Sequence, residues 1–175
     1  MENRMRFKVN PLLWLLPLLF ACKPEEARFP KVPGLSFRSF DRLLTPDGRD
    51  SLLFLHFNYT DGDGDLGLND GDSTGPFQFG SPFFYNFDVK FFELVDGKYV
   101  SVKDPLTGDT LNFNQRLPRM TPSGIDKQIE GTIRITVPAQ PSGFKPDSVQ
   151  YRCRLKDRSL NQSAEISTPV IALKR

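Results

Sequence analysis

Apolar and polar residues alternate along most of this chain. In GTIRITV, residues 131–137, Ile133, Ile135 and Val137 fall on one side while Thr132, Arg134 and Thr136 fall on the other. Successive side chains of a β-strand point to opposite faces, so this pattern describes a strand with one dry and one wet face. SLLFLHFNYT repeats it with Leu53, Leu55, Phe57 and Tyr59. VQYRCRLKD places Val149, Tyr151, Cys153 and Leu155 inward and Gln150, Arg152, Arg154 and Lys156 outward. The spacing predicts seven strands, over 34–40, 51–60, 86–95, 98–103, 128–137, 148–157 and 164–173. Between the third and fourth, Val95-Asp96-Gly97-Lys98 is a hairpin signal, because Asp-Gly supplies the positive φ values of a type I′ turn. Fifteen prolines and thirteen glycines leave no room for a long amphipathic helix. The expected fold is all-β: an immunoglobulin-like or fibronectin-III-like antiparallel β-sandwich of about seven strands over residues 34–175. The tryptophan of an antibody core is missing from it, since the single tryptophan is Trp14.

The first residues follow another pattern. Arg4, Arg6 and Lys8 precede the apolar run PLLWLLPLLF, which ends just before Ala21 and Cys22. A basic start, a short apolar core and a small residue at the cut describe a secretory signal peptide over residues 1–21. Leu19-Phe20-Ala21-Cys22 resembles the lipobox of bacterial lipoproteins. That resemblance implies cleavage before Cys22 and acylation of both its thiol and its new amino group. Each buried CH₂ contributes about 0.8 kcal/mol, and several chains together make a lasting membrane anchor. Lys23 followed by Glu25 and Glu26 resembles the signal that exports Bacteroidota lipoproteins to the outer face of the outer membrane. The expected location is therefore the outer membrane, lipid-anchored and exposed at the cell surface, with the periplasmic face as the alternative. Pro24, Pro30 and Pro33 predict an extended tether over residues 22–33.

Loss of the signal changes the charge balance. The chain has 23 basic and 21 acidic residues; residues 1–21 carry Arg4, Arg6 and Lys8 against Glu2, so 20 of each remain. A neutral mature protein without a basic run does not condense onto a phosphate backbone, which excludes nucleic acid as the expected partner. With Cys22 acylated, Cys153 stands alone, and its inward position predicts a buried apolar side chain.

The densest chemistry lies after the second predicted strand. YTDGDGDLGLNDGD places Asp61, Asp63, Asp65, Asp70 and Asp72 within twelve positions. Counted from Asp61, positions one, three, five and twelve carry carboxylates and Leu68 is the apolar eighth, as in a calcium-binding EF-hand loop. Leu66 stands where that loop needs glycine, Asp72 stands where it needs glutamate, and a strand leads in where a helix should, so an EF-hand proper is excluded. The oxygen density and the Gly alternation remain, and they favour calcium over magnesium, which prefers few carboxylates and retained water. The competing reading is a solvated acidic turn. If consecutive strands alternate in direction, DRSLNQS brings Asp157 and Asn161 to the same pole, as further ligands or as caps. QRLPRMTPSG arrives there too, and Arg116 or Arg119 would neutralise the aspartates instead.

GPFQFGSPFFYNF crowds Phe77, Phe79, Phe83, Phe84 and Tyr85 ahead of Phe87. The expected role of these rings is a lid folded over the core. The alternative is a flat, solvent-facing platform for a glycan or peptide.

No catalytic set accompanies these features. The single histidine, His56, sits mid-strand beside Phe54 and Asn58, and no G-x-S-x-G, H-E-x-x-H or phosphate-cradling loop occurs. The expectation is a non-enzymatic binding or structural module. NYTDGDGDLG, LPRMTPSGIDKQIEGTIRITV and YRCRLKDRSLNQSAEISTP together resemble Bacteroidota outer-membrane lipoproteins with one Ig-like domain, a likeness that carries no activity with it. Asp157, Asn161 and Ser163 also match the D-x-x-x-N-x-S turn of bacterial Ig-like modules. The expected partners are the membrane, through the lipid, and an envelope protein or glycan. An accessory subunit of an outer-membrane uptake or secretion complex is the alternative role.

Overall fold

The computed structural model describes residues 28–121, 128–141 and 144–175; the expected signal peptide, Cys22 and the first part of the tether lie outside the described residues. Among the described residues, eight strands occur in the order β1 (Gly34–Leu44), β2 (Asp50–Asp61), β3 (Phe87–Val95), β4 (Lys98–Ser101), β5 (Ile129–Pro138), β6 (Ser148–Leu155), β7 (Ile166–Ser167) and β8 (Ile171–Ala172). One sheet has the order β1-β2-β5, and the other β4-β3-β6-β7 with β8 also on β6. Every pairing is antiparallel. The protein is a β-sandwich. Its fourth strand stays beside the third, on the β3–β6 side, whereas a constant-type immunoglobulin domain carries its fourth strand on the opposite sheet.

That choice follows from the turn between β3 and β4. Asp96 and Gly97 have φ values of 49° and 74°, the two successive left-handed residues of a type I′ hairpin. The hairpin holds Val95 opposite Lys98 and zips Phe92 onto Ser101, which keeps β4 in the same sheet.

The period-two rows form the core as expected. Leu53, Leu55 and Phe57 of β2, Ile135 and Val137 of β5, and Val149, Tyr151, Cys153 and Leu155 of β6 are fully buried. Full burial of one such side chain contributes about 1.5–3 kcal/mol. Phe57 reaches across the sandwich: its ring centroid lies 5.8 Å from Phe37 in its own sheet and 5.3 Å from Phe87 in the facing one. The buried Cys153 thiol is pushed up in pKa by burial first and by the charges of Glu165 and Asp88 after it, so it stays protonated and unreactive.

Two expectations need correction. The last strand does not run unbroken over 164–173, because Pro169 has no N–H to give the ladder. Thr168 fills the gap: its hydroxyl accepts from the Tyr151 amide at 3.1 Å and its carbonyl accepts from the Gln150 side chain at 3.0 Å. That contact also buries Gln150, one of the residues expected on the wet face of β6. Lys156 leaves the wet face as well, its ammonium donating to Asp88 at 2.8 Å and to the Pro82 carbonyl at 2.6 Å. His56 is a sheet-surface residue, its Nε2 2.9 Å from Asp41 on the neighbouring strand.

Candidate metal centre

β2 ends at Asp61, β3 and β5 begin at Phe87 and Ile129, and β6 ends at Leu155. The connections leaving these ends meet at one pole of the sandwich. Leu66 bridges Asp157, the Leu68 amide donates to the Leu117 carbonyl at 3.0 Å, and the Met120 amide donates to the Leu66 carbonyl at 3.1 Å. Leu66 and Leu68 are buried, so apolar residues fasten the acidic loop to the domain. Gly67, with φ of 86°, lies so close to the Pro118 carbonyl that a Cβ there would collide with it. Only glycine combines that conformation with that approach.

The tether reaches this pole too. A Cβ on Gly62 would collide with the backbone carbonyls of Phe29 and Pro30, so the tether lies flat against the first turn of the loop. The Phe29 amide donates to Gln128 at 3.0 Å, and Arg28 pairs with Glu130 at 3.1 Å. The described part of the tether, from Arg28, therefore lies at the acidic end of the domain.

Asp61, Asp63 and Asp65 converge. One carboxylate oxygen from each lies within 4.8 Å of the others. Oxygens on opposite sides of one calcium ion, each at 2.3–2.6 Å, are separated by about 4.6–5.2 Å, so a single ion fits among them. Asp61 is fully buried, and its Oδ1 has no hydrogen-bond partner among the described residues; its Oδ2 accepts from the Asp65 amide at 2.9 Å. Asp65 is arranged in the same way, with Oδ2 accepting from the Ser159 amide at 2.8 Å and a buried Oδ1 left over. Leaving a buried carboxylate oxygen without a partner, as at Asp61 and Asp65, is costly, and three carboxylates so near each other add repulsion.

The electrostatics record this strain. Burial pushes the Asp61 carboxyl up to about 7, and the charges of Asp63, Asp65 and Asp157 add to it against the lowering effect of the Asp65 amide. Asp157 is raised as well, by burial first, against two hydrogen bonds from Asn161 and with repulsion from Asp65 and Asp63. No Lys or Arg of the described residues pairs with Asp61 or Asp65.

The other expected ligands are placed differently. Asp72 pairs with Arg158, and its Oδ2 also accepts from the Asn69 amide at 2.7 Å. Burial works against its ionisation, but the Asn69 amide and the Arg158 and Arg116 charges outweigh it and hold the carboxyl below its ordinary value. Asp72 thus closes its own turn rather than joining the three, and Asp70 is exposed beside it. Asp157 and Asn161 satisfy each other: the Asn161 backbone amide donates to Oδ1 at 2.7 Å and its side-chain amide to Oδ2 at 2.9 Å. This pair braces the loop whose Ser159 amide holds Asp65.

Arg116 and Arg119 do not neutralise the three aspartates. Arg116 donates to the carbonyls of Phe84 at 2.8 Å, of Asn69 at 3.3 Å and of Asp72, while Arg119 donates to the Thr121 carbonyl at 3.2 Å. Sequence reasoning overlooked Arg158, although it stands next to Asp157 in the turn expected at this pole. It also overlooked Thr121, which is buried and whose hydroxyl donates to the Gly64 carbonyl.

The aromatic segment is no lid. Phe77, Phe83 and Phe84 are half-buried, Phe79 is 82% exposed and Tyr85 38% exposed, and only Phe87 enters the core. Nor do the rings form a flat platform: Phe79 meets Phe84 at 81° and Phe84 meets Tyr85 at 79°. Cations cover two of these rings. Arg116 lies 5.2 Å from the Phe84 ring and Lys156 5.6 Å from that of Phe83, so packing on these side chains satisfies the segment at the surface.

Comparison with protein-family models, with curated proteins and with solved structures finds no match to this chain.

Proposed function

We propose that this chain is a lipid-anchored module of the cell envelope that is not an enzyme, and that it binds calcium through Asp61, Asp63 and Asp65. The observation that carries the reading is the fully buried Asp61, which has a carboxylate oxygen within 4.8 Å of those of Asp63 and Asp65 and whose Oδ1 has no hydrogen-bond partner among the described residues. A divalent cation supplies the attraction that the Asp61 and Asp65 oxygens lack among the described residues, and three carboxylates suit a hard ion of calcium's size. Backbone carbonyls of the loop and water would complete its shell.

Calcium at this position does mechanical work. It ties the end of β2 to Asp65, and through the Ser159 amide to the β6–β7 turn. The tether rests on Gly62, inside the same loop. The ion thus stiffens the end of the domain from which the lipid anchor departs and fixes how the sandwich stands on the membrane. The three connections gathered there form the surface offered to an envelope partner, because loops held on a rigid scaffold commonly carry recognition.

Two measurements test the two halves of this reading. Calorimetric titration of the chelator-treated protein with calcium is expected to show one site per chain, and the absence of binding heat at millimolar calcium would overturn the metal assignment. Cys22→Ala is expected to move the protein from the membrane fraction to the soluble one, since the acyl chains are its anchor. A variant that stays with the membrane would overturn the lipid anchor and leave the calcium result untouched.

A further inference from the structure

A second site lies away from the metal centre, on the outer face of the sheet that contains β3 and β6. A cleft of about 550 Å³ opens there, within the 300–1,000 Å³ common for small-ligand sites. Its floor is the outward row of β3, Asp88, Lys90 and Phe92. Residues 110–115 run antiparallel beside β3 and extend the floor, with Asn112 bridging Lys90 and the Phe113 amide donating to the Val89 carbonyl at 2.8 Å. Two-residue spacing then turns Thr110, Asn112 and Asn114 toward the same cleft. Tyr85 forms part of the wall.

The charges inside this cleft cancel. Lys90 pairs with Glu165 at 2.7 Å, and Lys156 pairs with Asp88 at 2.8 Å. The charged lining residues are thus matched, while the Lys103 ammonium, which donates to Thr110 Oγ1 at 3.3 Å, and the Arg152 guanidinium on Phe92 stand beside the cleft with no ion pair among the described residues. What remains is neutral hydrogen-bonding capacity. The Tyr85 hydroxyl and the Asn114 side-chain NH₂ have no partner among the described residues, and Asn114 Oδ1 is fixed by the Val89 amide at 2.8 Å, so that NH₂ is held in place. Asn112 Oδ1 accepts only one long bond, at 3.5 Å, and Thr110 Oγ1 is held only at 3.3 and 3.4 Å. Two rings accompany these groups: the partly exposed Tyr85, and Phe92, on which the Arg152 guanidinium stacks at 4.3 Å.

We propose that this cleft binds a neutral saccharide, a mono- or disaccharide unit, with its hydroxyls on Asn112, Asn114 and the Tyr85 hydroxyl and its apolar face against a ring. Uncharged sugars present rows of hydroxyls beside a C–H face, and side-chain amides next to aromatic rings match both. The site belongs to the sheet and not to the acidic loop, so it stands whether or not the loop holds calcium.

The test is a set of ¹H–¹⁵N NMR titrations of the detergent-solubilised full chain, run with calcium and with chelator. The probes are lactose, maltose, cellobiose, mannose and N,N′-diacetylchitobiose at about 10 mM, enough to reveal a Kd of about 1 mM. Sialyllactose and an extended Ala-Ser peptide serve as charged and peptide comparisons. At least one neutral sugar is expected to shift the amides of 88–92 and 110–114, with binding weakened about tenfold or more in Tyr85→Ala and in Asn112→Ala. Tyr85 is partly exposed, so the melting midpoint of Tyr85→Ala is expected to stay within about 2 °C of the parent. Absence of binding by every neutral sugar, a preference for sialyllactose or the peptide, or binding indifferent to both substitutions would each overturn the proposal.

Discussion

Asp61→Asn is expected to reverse the sign of its effect on stability according to whether calcium is present. In the parent protein, calcium at a hundred times its Kd adds about 2.7 kcal/mol. For a domain of this size that corresponds to a rise in melting midpoint of roughly 8 °C. The substitution removes one ligand charge from the most buried position of the three, and the calcium-dependent rise is expected to vanish. In chelator the same substitution relieves repulsion. An asparagine oxygen can still accept from the Asp65 amide while its NH₂ faces the Asp63 and Asp65 carboxylates, so the variant is expected to be more stable than the parent by about 1–3 kcal/mol. A solvated acidic turn would show neither change, and a parent indifferent to calcium would remove the basis of the metal reading.

The pH dependence in chelator follows from the same carboxyl. In the unfolded chain Asp61 ionises near its ordinary 3.8, whereas the folded protein holds the proton up to about 7. Its contribution to stability is therefore complete below pH 3.8 and is lost as pH rises toward 7. Calcium binds the ionised form and releases the proton, so the stabilisation by calcium is expected to grow between about pH 5 and 8. Melts at fixed calcium across that range measure it directly.

Phe57→Ala is expected to cost about 3–5 kcal/mol, a large part of the 5–15 kcal/mol that holds a typical domain folded. The ring is fully buried and packs on Phe37 behind it and on Phe87 of the facing sheet. Its removal leaves a void between the two sheets that the surrounding side chains fill only in part. Thr136→Ala, on the exposed face of β5, is the control and is expected to cost about 0.5 kcal/mol or less. Urea titration of the two variants separates these outcomes. A loss below about 1.5 kcal/mol for Phe57→Ala would mean that the sheets do not close on this ring.

The amino-acid order by itself determined the strands, the hairpin and the crowding of acids. Alternation is a property of neighbouring residues, so Ile133, Ile135 and Val137 could be placed inside before any partner was known, and Asp96-Gly97 announced its turn for the same local reason. Three carboxylates at two-residue spacing were equally visible. Tertiary structure alone decided which acids stay together. Asp72 lies only seven residues from Asp65 along the chain, yet Arg158, brought from the β6–β7 turn, draws it away. Arg116 reaches the pole and spends its donors on carbonyls, which leaves Asp61 and Asp65 without a cation among the described residues. The exposure of the phenylalanine segment and the break at Pro169 were hidden for the same reason. Each depends on what packs across the sandwich, and charge pairing and burial are set by distances in space that a local pattern does not encode.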